Sequence, residues 1–262
     1  MITSPQNSKV KLIRALLTQG KARRREKQLV LEGVRLVDDV FQQGYIPYFA
    51  LYHPDFADPL LDQLQAQNVE CLPLEARLFE ELSDTEQPQG ILAVYPMPDL
   101  RLPASPELLL AIDAVRDPGN LGTILRTAAA AGVDGVILLP GTVDVFNPKV
   151  MRGGMGAHFR LPLLTASRDF FAEQFGDQSG TNWNIRCADA GDPNAISYLQ
   201  ADLWQPPCIL IIGSEAHGIS PETRQQAQKS VFIPMESGVE SLNSSIAAAI
   251  LLFEIRRQRS LP

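Results

Sequence analysis

The 262-residue chain has few of the features that mark extracellular or membrane proteins. Its three cysteines, Cys71, Cys187 and Cys208, are odd in number and widely spaced, which excludes a disulfide framework and favours a reducing compartment. No apolar run approaches the roughly 20 residues that cross a bilayer, and no apolar stretch of a secretory signal follows the first positive charges. We therefore expect a soluble, cytoplasmic protein without a membrane partner.

Several nucleotide- and metal-binding signatures are also missing. No G-x-G-x-x-G follows an apolar run, which argues against an oxidoreductase that binds a dinucleotide, although nicotinamide binding would revive that hypothesis. Gly213 and Gly218 are spaced as in a phosphate loop, but no Lys-Ser or Lys-Thr pair follows them. Glu215 and His217 have neither an H-E-x-x-H continuation nor a cysteine pair nearby, so no metal is predicted.

Charge is distributed unevenly along the chain, although the net charge of −7 by itself argues against a nucleic-acid partner. Residues 1–37 contain nine lysines and arginines against Glu26 and Glu32, so this segment carries +7 and the remainder −14. A dense cationic segment on an acidic body is typical of a surface that binds a phosphate backbone. A solvated amphipathic helix with a basic face is the alternative interpretation.

Four prolines, Pro96, Pro98, Pro103 and Pro106, divide the chain into two halves. Proline fixes its own backbone and disfavours helix in the residue before it, so residues 99–106 are predicted to be an extended linker. Residues from about 28 to 98 alternate short apolar runs with helical patterns, which predicts a small α/β domain. With the basic segment before it, this first predicted domain spans residues 1–98. Residues 107–262 form the second predicted domain.

The second domain contains four unbroken apolar runs, at 108–112, 136–139, 208–212 and 231–233. Such runs predict strands that are buried on both faces, and hence a parallel sheet covered by helices. The alanine-rich segment 121–131 predicts a helix that ends before Gly132. A last helix is predicted from near the N-cap residue Ser241 to about Arg257.

Three turns rich in glycine and polar residues follow these runs, where ligands of open α/β sheets collect. The first, 113–120, leads into a helix on which Gly122 leaves room for a phosphate or hydroxyl group beside Arg126. The second turn is 213–218, and the third, 233–245, precedes the last helix. Each turn taken singly is compatible with a structural loop, whereas three in one domain favour a binding site.

Together the three turns resemble the motifs of the SpoU (TrmH-like) RNA 2′-O-ribose methyltransferases of the SPOUT superfamily. The matching segments are Asp117-Pro-Gly-Asn120-Leu-Gly-Thr-Ile-Leu-Arg126, Ile212-Gly213-Ser-Glu215-Ala-His-Gly218, and Ile233-Pro-Met with Ser241-Leu242-Asn243. The segment 147–162 also resembles the family. Arg25 and residues 29–33 and 89–93 resemble its substrate-binding domain of ribosomal-protein-L30e-like fold. The resemblance therefore covers nearly the whole chain.

The resemblance implies an α/β fold in which a SPOUT-type parallel sheet contains a deep trefoil knot, preceded by a small L30e-like domain. It implies that the methyl donor S-adenosylmethionine binds in the knot, largely to main-chain groups, without a metal. The positions carried over to donor binding are Gly213, Ile233, Leu242, Leu139 and Gly218. Glycine permits a close approach of the backbone to a ligand, and Ile233 and Leu242 can enclose a flat adenine.

The resemblance also implies which residues carry the chemistry, namely Arg126, Asn120, Glu215, Ser241 and Asn243. A guanidinium group stays protonated in proteins, so we expect Arg126 to bind phosphate and stabilise the developing alkoxide rather than act as a free base. Asn120 is expected to orient Arg126 or the nucleotide. Glu215, Ser241 and Asn243 are expected to shape the pocket by hydrogen bonding.

The resemblance implies that RNA and a second copy of the chain are partners. The last helix is apolar on more than one face, which fits burial against a second copy or, alternatively, burial wholly within one protomer. The predicted RNA contacts are Arg23, Arg24, Arg25, Lys27, Arg35 and Arg152. A substrate-binding domain ahead of the catalytic one favours large-subunit (23S-type) ribosomal RNA over tRNA. Methylation of tRNA, an inactive RNA-binding protein of the same fold and an antibiotic-resistance enzyme remain alternatives. The sequence does not specify the target nucleotide.

Overall fold

The computed structural model describes residues 1–83, 88–176, 180–200, 203–238 and 241–260, and the chain packs into two units. The first unit comprises residues 1–99 and 146–159, and the second comprises residues 100–145 and 160–262. The division between residues 99 and 100 lies at the start of the predicted linker. No helix in the described ranges is long and apolar enough to cross a membrane.

The first unit is a four-stranded sheet with helices on both faces. Its helices are α1 (Ser8–Thr18), α2 (Gly20–Glu26), α3 (Val34–Gln42), α4 (Leu60–Ala66), α5 (Ala76–Leu82) and α7 (Pro148–Gly154), with a 3₁₀ turn at Ala157–Phe159. Its strands are β1 (Gln28–Glu32), β2 (Phe49–Tyr52), β3 (Glu70–Pro73) and β4 (Ile91–Pro96), in the spatial order β1-β4-β2-β3.

The two faces of this sheet bury separate apolar clusters. Successive side chains of a strand point to opposite faces, so Leu29 and Leu31 of β1 pack with residues of α3 and α4. Val30, between them, packs instead with residues of α1 and α5. The helix that carries the first basic residues is therefore anchored to the sheet by the apolar side of α1.

Residues 146–159 pack with the first unit, although the sequence pattern placed them in the second domain. Met151 and Phe159 join the cluster around Leu29 and Leu31. Arg152 of α7 also forms an ion pair with the buried Glu32, with 3.4 Å between Nη1 and Oε2. These contacts join residues more than 100 positions apart, which local patterns do not encode.

The second unit contains a seven-stranded parallel sheet, as the apolar runs predicted. Its strands are β5 (Leu108–Asp113), β6 (Gly135–Leu138), β7 (Leu163–Thr165), β8 (Asn184–Ala188), β9 (Ile196–Ser197), β10 (Cys208–Gly213) and β11 (Lys229–Phe232), in the order β7-β6-β5-β10-β8-β11-β9. Its helices are α6 (Pro118–Ala131), α8 (Arg168–Phe175), α9 (Pro221–Arg224) and α10 (Ser244–Ser260). The predicted α/β fold is confirmed, and the knot stays a prediction.

Helix α6 starts slightly earlier than its apolar pattern indicated. Asp117 caps it by accepting a hydrogen bond from the backbone N–H of Asn120 at 2.8 Å. Because Asp117 serves as the cap, the side chain of Asn120 is available for other contacts. Gly132, at φ 79°, ends the helix where predicted.

The prediction that Ser241 caps the last helix is wrong. Helix α10 begins at Ser244, and Oδ1 of Asn243 accepts hydrogen bonds from the backbone N–H groups of Ser245 at 2.9 Å and Ile246 at 3.3 Å. Serine and asparagine are comparably good N-cap residues, so the sequence offered two starting points two residues apart. Asn243 is therefore both the cap and, as shown below, part of a side-chain network.

Candidate functional site

A cleft of about 200 Å³ opens at the carboxyl ends of β8, β10 and β11. Neighbouring parallel strands bring their carboxyl ends to one edge of a sheet, which makes this edge the usual ligand site in such folds. Six of the predicted site residues line the cleft: Gly213, Glu215, Gly218, Ile233, Ser241 and Leu242. The second and third turns therefore meet at one place.

Four of the predicted catalytic and donor-binding residues lie outside the cleft wall, namely Asn120, Arg126, Leu139 and Asn243. Leu139 is 2% exposed and packs in the sheet core with Ile137 and Phe171. Arg126 is exposed on α6, and within the described part of the chain its guanidinium has no hydrogen-bond or ion-pair partner. Leu139 is thus a core residue, whereas Arg126 presents a free cation to solvent.

The loop after β10 turns back tightly on itself. The backbone N–H of Ser214 donates to the Gly218 carbonyl at 3.0 Å, and the N–H of Gly218 donates to the Ser214 carbonyl at 2.9 Å. Gly218 has a φ of 65°, which favours glycine. A Cβ on Gly213 would lie 2.3 Å from the Gly218 carbonyl carbon, so only glycine fits at Gly213. This turn sets Glu215 at its tip.

Glu215 joins the three turns through its carboxylate. Its Oε1 accepts hydrogen bonds from the side-chain amide of Asn120, from Nδ2 of Asn243 at 3.3 Å, and from the Ser244 hydroxyl at 2.7 Å. Asn243 Nδ2 also donates to Oδ1 of Asn120 at 3.0 Å. Asn120 is therefore bound to the other two turns, and no hydrogen bond links its side chain to Arg126.

An ion pair on a buried carboxylate supports the same loop. Asp113, fully buried at the end of β5, accepts a hydrogen bond from Arg168 at 3.0 Å and from the Ser220 hydroxyl at 2.6 Å. Arg168 Nε donates to the Ser220 hydroxyl at 2.9 Å. The sequence pattern does not reveal this triad, because its members come from three distant segments. It connects the end of β5, the start of α8 and the chain after the Gly218 turn.

The wall also contains a segment that the sequence reading did not single out, the residues that follow β8. Asp189 lines the cleft and forms an ion pair with Arg224, which also binds Asp192 at 2.8 Å. A hydrogen bond from Ser230, followed by one from the Asn194 backbone, lowers the pKa of Asp192. Strand β8 reads Asn-Ile-Arg-Cys-Ala, so it lacked the apolar run that identified the other central strands.

The predicted RNA-contact residues differ in their accessibility. Arg24, Arg25, Lys27 and Arg35 are exposed. Arg23 is 5% exposed, because its Nη1 donates to the Leu16 carbonyl at 2.6 Å near the end of α1. Its burial removes Arg23 from the set that can reach a phosphate. Arg152 is partly exposed and paired with Glu32.

The described part of the chain contains no group of three or more His, Cys, Asp or Glu side chains able to hold a metal ion. Within the same ranges, the charged residues that line the cleft are Asp189 and Glu215. The cleft therefore has an acidic rim on an apolar wall, and no lysine, arginine or histidine from these ranges lines it. Such a wall suits an organic cation better than an anion.

Comparison with known proteins relates both halves of the chain to RNA-modifying enzymes. Residues 107–253 match the SpoU rRNA Methylase family, and residues 7–93 match the MRM3-like substrate binding domain. The 23S rRNA (guanosine(2553)-2′-O)-methyltransferase RlmP of Bacillus subtilis is 32% identical, over 97% of this chain and 98% of that protein.

Solved structures agree with this relation. The AdoMet-bound rRNA methyltransferase of Sinorhizobium meliloti is 31% identical, with a TM-score of 0.84 over 100% of this chain and 98% of that one. The TrmH/SpoU tRNA modifying enzyme of A. aeolicus is 27% identical, with a TM-score of 0.50 over 58% of this chain and 75% of that one. The likeness to the rRNA enzyme therefore covers the whole chain, and the likeness to the tRNA enzyme covers little more than half.

Proposed function

This chain belongs to the SpoU rRNA methylase family and is an S-adenosylmethionine-dependent RNA 2′-O-methyltransferase; from that premise we propose that the cleft at β8, β10 and β11 holds the methyl donor. The proposal gives the cleft's composition a function. Ile233 and Leu242 supply apolar faces for adenine, and Gly213 and Gly218 supply accessible backbone. The acidic rim suits the positive charge of a sulfonium.

S-adenosylmethionine, when bound, supplies a sulfonium methyl group to an oxygen nucleophile. The chain's own contribution begins with the Glu215 network. Because one carboxylate oxygen gathers donors from Asn120, Asn243 and Ser244, the turns that flank the cleft are held in a single arrangement. We assign Asn120, Glu215 and Asn243 the role of fixing this arrangement. Ser241, on the cleft wall, contributes to the shape of the donor site.

Arg126 is proposed to act on the RNA rather than on the donor. Its guanidinium is exposed and lies outside the cleft wall, so it is free to form a bidentate contact with a phosphate. Placed beside the target ribose, the same cation stabilises negative charge as the 2′-hydroxyl loses its proton. This role requires the planar fork of arginine and not only a positive charge.

Substitutions at Arg126 test this assignment. We expect Arg126→Ala to lower methyl transfer about 100-fold or more and Arg126→Lys at least about tenfold, because lysine lacks the fork. Donor affinity, measured by calorimetry, should stay unchanged in both variants since Arg126 does not line the cleft. A nearly full rate in Arg126→Lys would contradict the assignment.

The substrate we propose is large-subunit ribosomal RNA. The rRNA relatives match the whole chain, including its first unit, whereas the tRNA enzyme matches 58% of it. The exposed cations Arg24, Arg25, Lys27 and Arg35 are proposed to contact phosphates. Unpaired thiols at all three cysteines suit the reducing cytoplasm, where we propose the protein acts.

Tritiated methyl transfer to RNA without 2′-O-methyl marks tests the substrate. Label on large-subunit ribosomal RNA that disappears in Arg126→Ala is the expected result. Label on tRNA would contradict the proposed ribosomal RNA substrate and still support the methyl-transfer reaction. No label on any RNA, together with no donor binding by calorimetry, would contradict the proposed function.

We also propose that the protein works as a homodimer through α10. Ile246 and Phe253 are 50% and 48% exposed, and their seven-residue spacing places them on one side of the helix. The opposite side, with Ala248, Leu252 and Ile255, is buried in the unit. Helix α6, which carries Arg126, packs against α10, and we propose, as the family resemblance implies, that Arg126 of one protomer serves the donor cleft of its partner.

A further inference from the structure

The acidic side of the cleft is assembled around one arginine. Arg224 of α9 forms ion pairs with Asp189 and with Asp192, and its Nη2 lies 3.5 Å from the Ser230 hydroxyl. Asp189 lines the cleft, whereas Asp192 does not. Two carboxylates and one guanidinium carry a net charge of −1, and Asp189 is the carboxylate of this cluster that lines the cleft.

The geometry leaves Asp189 able to accept further hydrogen bonds. One oxygen is bound to Arg224, and the other accepts from the Gly191 backbone N–H at 2.9 Å. A carboxylate has about four acceptor positions, so about two remain. The side chain is 23% exposed and fixed at both oxygens, which presents its charge in a constant position.

The other acidic residue of the wall is differently engaged. Oε1 of Glu215 is occupied by donors from Asn120, Asn243 and Ser244, so this carboxylate joins the turns. Within the described part of the chain no basic side chain lines the cleft to offset the two acids. Asp189 is not part of the network around Glu215, so it is the acidic residue of the wall that can bind a ligand.

Resting on the proposed donor site, we propose that Asp189 is a specificity-determining residue that recognises positive charge on S-adenosylmethionine. The donor carries two cations, the sulfonium and the amino-acid ammonium, and either one satisfies this chemistry. Arg224 acts as a positioning residue that holds Asp189 against the wall, and Asp192 holds Arg224 from outside the cleft.

Calorimetry with three ligands tests the proposal without an activity measurement. S-adenosylmethionine has both cations, S-adenosylhomocysteine has the ammonium alone, and 5′-methylthioadenosine has neither but keeps the adenosine. We expect Asp189→Asn to lower the affinity for S-adenosylmethionine about tenfold, equivalent to about 1.4 kcal/mol. The affinity for 5′-methylthioadenosine should change less than about twofold. If Asp189→Asn also lowers the affinity for S-adenosylhomocysteine, the ammonium is the cation that Asp189 recognises. If that affinity is unchanged, the sulfonium is the recognised cation.

Glu222→Gln is the matched control, because it removes an exposed carboxylate from the same short helix as Arg224 and leaves the cluster and the cleft wall intact. It should change the affinity for S-adenosylmethionine less than about twofold. The proposal is overturned if Glu222→Gln weakens the binding of S-adenosylmethionine as much as Asp189→Asn does, if Asp189→Asn has no effect on it, or if Asp189→Asn weakens the binding of 5′-methylthioadenosine equally.

The wild-type protein provides a second test in case Asp189→Asn does not fold. Raising the salt concentration from about 0.05 M to about 0.5 M should lower the affinity for S-adenosylmethionine and leave the affinity for 5′-methylthioadenosine unchanged, because salt screens only the charged ligand. Equal effects on both ligands would count against the proposal. Failure of the wild-type protein to bind S-adenosylmethionine at all would instead contradict the proposed function.

Discussion

Neighbouring arginines in α2 have different roles that their side chains alone do not reveal. Arg23 is 5% exposed and donates to the carbonyls of Leu16 at 2.6 Å and Leu17 at 3.4 Å, near the end of α1. Arg24, the next residue, is exposed. Their different exposure follows from the helix, in which consecutive side chains are turned by about 100°. One arginine therefore stabilises the fold, and the other can bind RNA.

Paired alanine substitutions should separate these two roles. Arg23→Ala is expected to lower the free energy of unfolding by about 2 kcal/mol, because it removes charge-assisted hydrogen bonds and leaves buried space. Arg24→Ala should change the free energy of unfolding by less than about 0.5 kcal/mol and weaken RNA binding. The slope of the logarithm of the RNA binding constant against the logarithm of the salt concentration should fall in magnitude by about 1. Thermal melting and RNA titration at several salt concentrations measure both. Equal stability of the two variants would contradict the structural role of Arg23.

At the scale of elements, the cleft depends on how closely the turns approach one another. The turn after β10 closes through two backbone hydrogen bonds between Ser214 and Gly218, and Gly213 packs against it without room for a Cβ. The sequence alone predicts that glycine at position 213 permits a close approach of the backbone to the ligand. The structure adds a contact within the chain itself, with the backbone of Gly218 and Ile219.

Gly213→Ala should therefore disrupt the donor site. The added Cβ would meet backbone atoms 2.3 to 2.6 Å away, which forces the turn to move, and we expect donor affinity to fall more than about tenfold. Gly132→Ala is the control, since Gly132 has a φ of 79° and open space around its Cβ position. It should cost about 1 kcal/mol of stability and leave donor binding intact. Calorimetry that shows normal affinity in Gly213→Ala would refute this account.

At the scale of the whole molecule, the excess positive charge and the exposed apolar side of α10 lie in different parts of the chain. The first 37 residues carry +7 against −14 for the remainder. The exposed apolar residues Ile246 and Phe253 lie on one helix of the second unit. This separation fits a chain that uses one surface for RNA and another for a second copy of itself.

The proposed dimer predicts that a charge on α10 separates the protomers. Phe253→Glu should shift the protein from dimer to monomer in sedimentation at micromolar concentration, because it buries a carboxylate in the proposed interface. Leu199→Glu provides a matched control, since Leu199 is 53% exposed in the same unit but lies outside α10. A wild-type protein that sediments only as a monomer would remove the basis of the proposal.

The sequence by itself determined the strands and ligand-facing turns that local pattern encodes. The apolar runs of β5, β6, β10 and β11, and the glycine that ends α6, are visible because burial and backbone conformation act within a few residues. The same holds for the three turns, whose residue types resemble the family motifs. The predicted parallel sheet follows from these runs, since strands buried on both faces leave few other arrangements.

Only the tertiary structure decided which residues meet. Strand β8 has no apolar run of its own, and it is identified as a central strand only by its pairing with β10 and β11. Asp189, which follows it, is therefore placed on the cleft wall by the tertiary structure. The cap at Asn243 rather than Ser241 and the burial of Arg23 involve partners two to seven residues away, which residue type alone did not single out. The network on Glu215 depends on partners distant in the chain. Residues 146–159 join the first unit for the same reason. Side-chain hydrogen bonds and ion pairs act over a few ångströms in space, and sequence separation does not report that distance.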